Sequence, residues 1–349
     1  MLLHALPQPP VVTVTVTVTV TVHGHGPRSR STEDRPVSRT RRIAAFLAAM
    51  FPPWLMVPFA LANFLALHFA LQAMADIAPL AITWRSGLAA ASFVLFPLLL
   101  RVYDEEKDVS TDLALARAGD PRYANRPIAT GKVTTGDLKV LRLATIVLLF
   151  AANLPLGFPL PFAAFAAAFA LAWLSSKWFF YPSMSENLLL AFATHNPLSL
   201  VFGGYVVAVF AAEFDPSGLS GWTALLLVGL WMPVAAWETS RKVRLPQDET
   251  DYRTYSKVLG WKTATVLPAL FVTASAASLA GIARRIGLGW PFLAALGAAA
   301  AFPVGASLLL RFAPTRARAN LRPWAEVYAV AANAGLAIAL GVSRGVALR

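Results

Sequence analysis

The chain has 349 residues, of which 57% are hydrophobic and 14% charged, with a formal net charge of +12 and a mean hydropathy of +0.59. That balance excludes a soluble multidomain protein, because apolar runs this long leave no polar stripe to face water. Cysteine is absent, which excludes disulfides, thiolate catalysis and Cys-ligated metal; the positive charges fall between apolar runs, in no stretch long enough for a nucleic-acid-binding domain.

Residues 1–42 read as a disordered low-complexity tail: a Val/Thr alternation from Val11 to Val22, then "HGHGPRSRSTEDRPVSRTRR". The alternating threonines leave no continuous apolar core and the basic run follows rather than precedes it, so this is not a signal peptide. Two histidines in such a tail are a weak metal site. From residue 43 the apolar runs are each near the roughly 20 residues that span about 30 Å of hydrocarbon as helix. They predict nine spans, near 43–67, 79–101, 138–156, 160–180, 188–211, 220–239, 263–283, 290–311 and 324–343. Residues 43–349 are thus expected to form one all-α, multi-pass transmembrane bundle around a central cavity. Pro97, Pro233 and Pro303 lie inside spans, where neighbouring helices can satisfy the freed carbonyls.

With the tail placed inside, 25 of the 30 Lys and Arg fall on the inner side, so the N-terminus is expected to be cytoplasmic, in a bacterial plasma membrane. The acids share this bias, which the positive-inside rule does not require. Asp104, Glu105, Glu106, Asp108 and Asp112 follow the second span, and Glu238, Asp248, Glu249 and Asp251 follow the sixth. Both spans are even-numbered, so both clusters reach the same membrane face. If the second helix continues past Arg101, Asp104, Asp108 and Asp112 stack at i, i+4 and i+8 on one face, with Glu105 beside them. Like charges at that spacing repel unless a cation is bound. Mg²⁺ suits such a site, taking one or two carboxylates per ion and completing its shell with water and phosphate oxygens. The second cluster sits among Arg241, Lys242, Arg244, Arg253 and Lys257, and carboxylates on metal beside cations on phosphate would make a diphosphate site. The plainer reading of each cluster is a solvated helix end or a charged loop between spans.

These residues resemble the UbiA superfamily of intramembrane prenyltransferases, over nearly the whole chain after residue 42. That family carries Asn-Asp-x-x-Asp-x-x-x-Asp after its second span; residues 104–112 match it at Asp108 and Asp112 and have Asp104 and Glu105 at the first two positions. "NRPIATGKVT", Asn125 to Thr134, is similar to the family's Arg-Pro-x-x-Ser-Gly segment, with Thr130 for Ser, and "YSKVLG", Tyr255 to Gly260, to the lead into span seven. The second family motif, Asp-x-x-x-Asp, is rewritten: Glu238 is followed four residues on by Lys242. Either Asp248, Glu249 and Asp251 supply the missing carboxylates, or Lys242 replaces a metal ion by binding diphosphate directly.

The resemblance implies an isoprenyl diphosphate whose head lies at the cytoplasmic rim and whose tail runs among the helices, in contact with membrane lipid. It implies Mg²⁺ held by Asp104, Glu105, Asp108 and Asp112, opposed by Glu238 and Asp248 or Asp251, with Asp108 and Asp112 the catalytic pair. Arg126, Lys132, Lys242 and Lys257 would grip diphosphate oxygens, and the acceptor would be a lipophilic, aromatic or quinone-like nucleophile. A membrane terpene cyclase would ionise the same substrate and quench the cation internally. A secondary transporter is a further alternative, although transporters place their sites near the bilayer midplane and these acids lie at helix ends. No general base is evident. His68 and His195 read as helix-packing residues, Asn63 and Asn196 as intramembrane polar groups that lean functional, and Arg85 as a snorkelling anchor.

Overall fold

A computed structural model describes residues 37–157, 159–177, 187–214, 219–250 and 252–349; most of the tail, residues 1–36, lies outside them. Helix α1 (Arg39–Met50) ends before Pro52, and α2 (Pro53–Met74) starts with Pro53 at its first turn. Two consecutive prolines remove two backbone donors, so the chain cannot run through as one helix. The first predicted span therefore begins about ten residues later than its apolar run, and α1 is a separate basic helix. Its Arg42 pairs with the buried Asp137 at 2.7 Å. From Ala66 to Met74, α2 is buried on every side, the signature of a central helix.

The start of the second predicted span is not helical. Leu80–Ile82 form a short strand, β1, which pairs in parallel with β2 (Val346–Leu348) at the end of the chain. A buried strand needs partners on both edges, and Leu80 and Ala81 are buried. Successive residues of a parallel strand bond in opposite directions, so β2 serves Leu80 and Ile82 while Ala81 faces α2. There Gln72 accepts from the Ala81 amide at 2.7 Å and donates to its carbonyl at 2.9 Å. The ring of His68, at 3.2 Å from the same carbonyl, is a packing residue as expected.

Thr83 caps the next helix through a reciprocal pair with Ser86. That helix, α3 (Trp84–Arg117), is 34 residues long, or about 51 Å at the usual rise. Hydrocarbon takes up about 30 Å, which leaves about 14 residues over, the length of the acid-bearing end of α3 from Asp104 to Arg117. A short helix α4 (Pro121–Ala124) and a loop lead to α5 (Thr135–Asn153), then α6 (Leu160–Ser176). The fifth predicted span is broken at Asn196 and Pro197 into α7 (Leu188–His195) and α8 (Leu198–Glu213); α9 (Gly221–Ser240) follows. Short helices α10 (Tyr255–Leu259) and α11 (Trp261–Ala264) precede α12 (Val266–Arg285), α13 (Trp290–Phe312) and α14 (Arg322–Arg344).

Among the described residues, eight helices are long and apolar enough to cross a membrane, and Leu160–Ser176, at the fourth predicted position, is a shorter apolar helix of 17 residues. The bundle core runs through α2, α3, α6 and α8, where Phe96 stacks on Phe202 at 4.6 Å, and into α9, α12 and α14. Gly229 lets α12 approach closely, because a Cβ there would meet that of Ser278 at 3.0 Å. Ser275 donates to the Gly229 carbonyl at 2.7 Å and accepts from Tyr328 at 2.9 Å.

Candidate active site

The acids of α3 do fall on one continuous helix, and each finds a different environment. Glu105 and Asp112 are buried. Arg126, from the loop before α5, bonds Asp112 and lies 3.7 Å from Glu105, which also pairs with Arg101; its guanidinium rests 4.5 Å above the Tyr123 ring. Arg126 is thus held on carboxylates, and the buried acids form an internal ion cluster. Asp104 is half-exposed and pairs with Lys107 at 3.0 Å. Asp108, one turn on, enters no ion pair among the described residues.

At the end of α9 the sign of the site reverses. Glu238 bonds Arg241 at 2.6 Å and Lys242 at 2.7 Å. Arg241 stacks on Trp237 at 4.8 Å, and Lys242 lies 5.9 Å from the Tyr255 ring centre. Burial works against the Arg241 charge, but Glu238 outweighs it and Tyr252 and Asp104 add to it, so its pKa is raised. Burial, reinforced by the charge of Glu238, pushes the Tyr255 phenol well above its ordinary value, so it stays protonated. Trp237 donates to Glu326 of α14 at 3.0 Å, and Arg322 pairs with the same carboxylate at 2.7 Å.

The two ends meet. Arg241 feels the charge of Asp104, and His195 feels Lys107, Asp104 and Glu238 together. His195, read from the sequence as a packing residue, sits where α7 breaks off, with Thr194 Oγ1 at 3.1 Å from its Nδ1. Asn196 beside it accepts from Trp231 at 2.7 Å. Glu326, which stands alone at a helix start in the sequence, is engaged by Trp237 and Arg322 together.

The other candidates are placed less centrally. Asp248 pairs with Arg316 at 3.0 Å, Glu249 accepts from Thr254 at 2.8 Å, and Lys257 donates to the Thr250 carbonyl. Lys132 is exposed on the loop before α5, and Asp251 lies outside the described residues. Among the described residues no three His, Asp or Glu side chains close into a metal-binding set. Asp104 and Asp108 still offer hard oxygens one helical turn apart, a donor pair that suits Mg²⁺ with its remaining positions filled by water and phosphate. Glu238 does not fit, since both its oxygens are engaged by cations.

No family model and no curated protein matches the sequence. Solved structures do match in shape. A digeranylgeranylglyceryl phosphate synthase superposes with a TM-score of 0.55 at 12% identity, over 86% of this chain and 98% of its own. The apo structure of a UbiA homolog from Aeropyrum pernix K1 gives 0.53 at 19% identity, over 79% and 97%. The chain has the UbiA fold. Another UbiA homolog, from Archaeoglobus fulgidus and bound to GPP and Mg²⁺, gives 0.43 at 15% identity, over 82% and 98%, an overlap too loose to carry an argument.

Proposed function

We propose that the chain is a Mg²⁺-dependent intramembrane prenyltransferase, moving an isoprenyl group from a prenyl diphosphate to a lipophilic acceptor with an aromatic or quinone-like ring. One consideration supports this reading: in a UbiA fold, α3 ends in carboxylates and α9 ends in cations, and the charge of Asp104 acts on Arg241. Asp104 and Asp108 hold the metal. Bound there, Mg²⁺ acts as a Lewis acid on the leaving diphosphate oxygens. Arg241 and Lys242 grip those oxygens, and Glu238 fixes both cations in position. Glu105, Asp112 and Arg126 lock the projecting end of α3 so that Asp104 and Asp108 keep their places. Tyr255, protonated and part of the wall, offers a hydroxyl donor. The prenyl carbon loses its bond to oxygen, the diphosphate leaves with the electron pair, and the carbon bonds to an acceptor carbon that gives up its proton. The Lys/Arg bias of the sequence supports a cytoplasmic position for this end.

The test is incubation of the purified full-length chain in detergent with labelled prenyl diphosphates, with and without Mg²⁺ and with a panel of aromatic acceptors. Mg²⁺-dependent diphosphate release with label on the acceptor is the expected result. Release giving only a cyclic hydrocarbon or alcohol would replace transfer by cyclisation, and no release at any chain length would reject the chemistry.

A further inference from the structure

Glu106 is the acid of the α3 cluster that faces elsewhere. It lies two residues past Asp104, about 200° round the helix, and borders a separate cavity of about 370 Å³ between the ends of α3 and α5, lined by Glu106, Val109, Thr135, Lys139 and Arg142. We propose that this cavity is a headgroup site for an anionic membrane phospholipid, whose phosphate sits between Lys139 and Arg142. The assignment is independent of the diphosphate chemistry on the other face of α3.

Charge is the first argument. Two cations face one carboxylate, and Glu106 holds the Arg142 guanidinium at 2.5 Å, fixing its orientation, while the exposed Lys139 enters no ion pair among the described residues. Spacing is the second. Thr135, Lys139 and Arg142 recur at i, i+4 and i+7, so a hydroxyl and both cations share one face of α5. The third is what lies beneath them. Leu143 and Val147 continue the Lys139 row at i+4 and i+8 and are 62% and 57% exposed. An apolar stripe directly below a phosphate-binding pair suits an acyl chain, and a free phosphate has no use for it. Depth agrees as well: Lys139 is in the first turns of the span Thr135–Leu156, at headgroup level, where basic pockets between helices bind lipid heads.

The experiment is native mass spectrometry of the full-length chain from detergent, titrated with phosphatidylglycerol, with phosphatidylcholine, and with phosphatidylglycerol plus millimolar inorganic phosphate. Phosphatidylglycerol should be retained at least about fivefold more tightly than phosphatidylcholine, the factor one basic side chain near the surface supplies. Inorganic phosphate should not displace it. Lys139→Glu should abolish the preference and Lys139→Gln reduce it, with elution volume and melting temperature unchanged because the side chain is exposed. Leu143→Ser should weaken retention of both lipids. Equal retention of the two lipids, or a preference that survives Lys139→Glu, would overturn the site; displacement by inorganic phosphate would overturn the lipid and leave a simple anion site.

Discussion

The ends of α3 and α9 carry similar residue types and do opposite things with them. On α3, carboxylates outnumber the cations facing them: Glu105 and Asp112 are neutralised internally by Arg101 and Arg126 and Asp104 pairs with Lys107, while Asp108 enters no ion pair among the described residues. On α9, cations outnumber carboxylates: Glu238 is saturated by Arg241 and Lys242, which leaves a positive surface. The difference teaches that a charged residue's role depends on the local excess. The minority sign is fully paired, and part of the majority sign is left over.

Breaking the acid side should cost most. Asp108→Ala is expected to lower Mg²⁺-dependent diphosphate release by about 100-fold or more, the usual loss when a stabiliser of transition-state charge goes, with the helix content by circular dichroism unchanged. Asp112→Ala should act through stability instead. A double-mutant cycle with Arg126→Ala, read by thermal unfolding in detergent, should return a coupling of about 1–3 kcal/mol; additive effects would show that the two residues do not depend on each other. On the cationic side, Lys242→Ala should raise the KM for prenyl diphosphate about tenfold, one charge-assisted contact's worth, and leave the acceptor's KM alone. Equal effects on both substrates would reject its phosphate role. Smallest should be Glu238→Gln, which loosens Arg241 and Lys242 without removing them: about a threefold loss in kcat/KM. A loss as large as that of Asp108→Ala would instead make Glu238 a metal ligand and erase the contrast between the two ends.

What could be read from the chain follows from what each signal requires. Apolar runs of span length locate helices because hydrocarbon tolerates little else. The i, i+4, i+8 spacing located Asp104, Asp108 and Asp112 on one face once α3 proved continuous. The strand Leu80–Ile82 was not legible, since in an apolar run its composition equals that of a span, and its partners are Gln72 and His68 of α2 and the distant Val346–Leu348. The break at Pro52 and Pro53 was visible, but a hydropathy window averages over it. His195 and Glu326 were isolated polar residues, and their neighbours come from helices far away in sequence.

By itself, then, the sequence determined a multi-pass helical membrane protein, the positions of most of its spans, and the helix ends at which its charges collect, because those properties depend on local composition and period. Only the tertiary structure decided which charges cancel. Whether Arg126 would face a ligand or Asp112, and whether Glu238 would hold metal or Lys242, depends on side chains within a few ångströms, where ion pairing is short-ranged and the partners of Asp112 and Asp248 come from loops elsewhere in the chain.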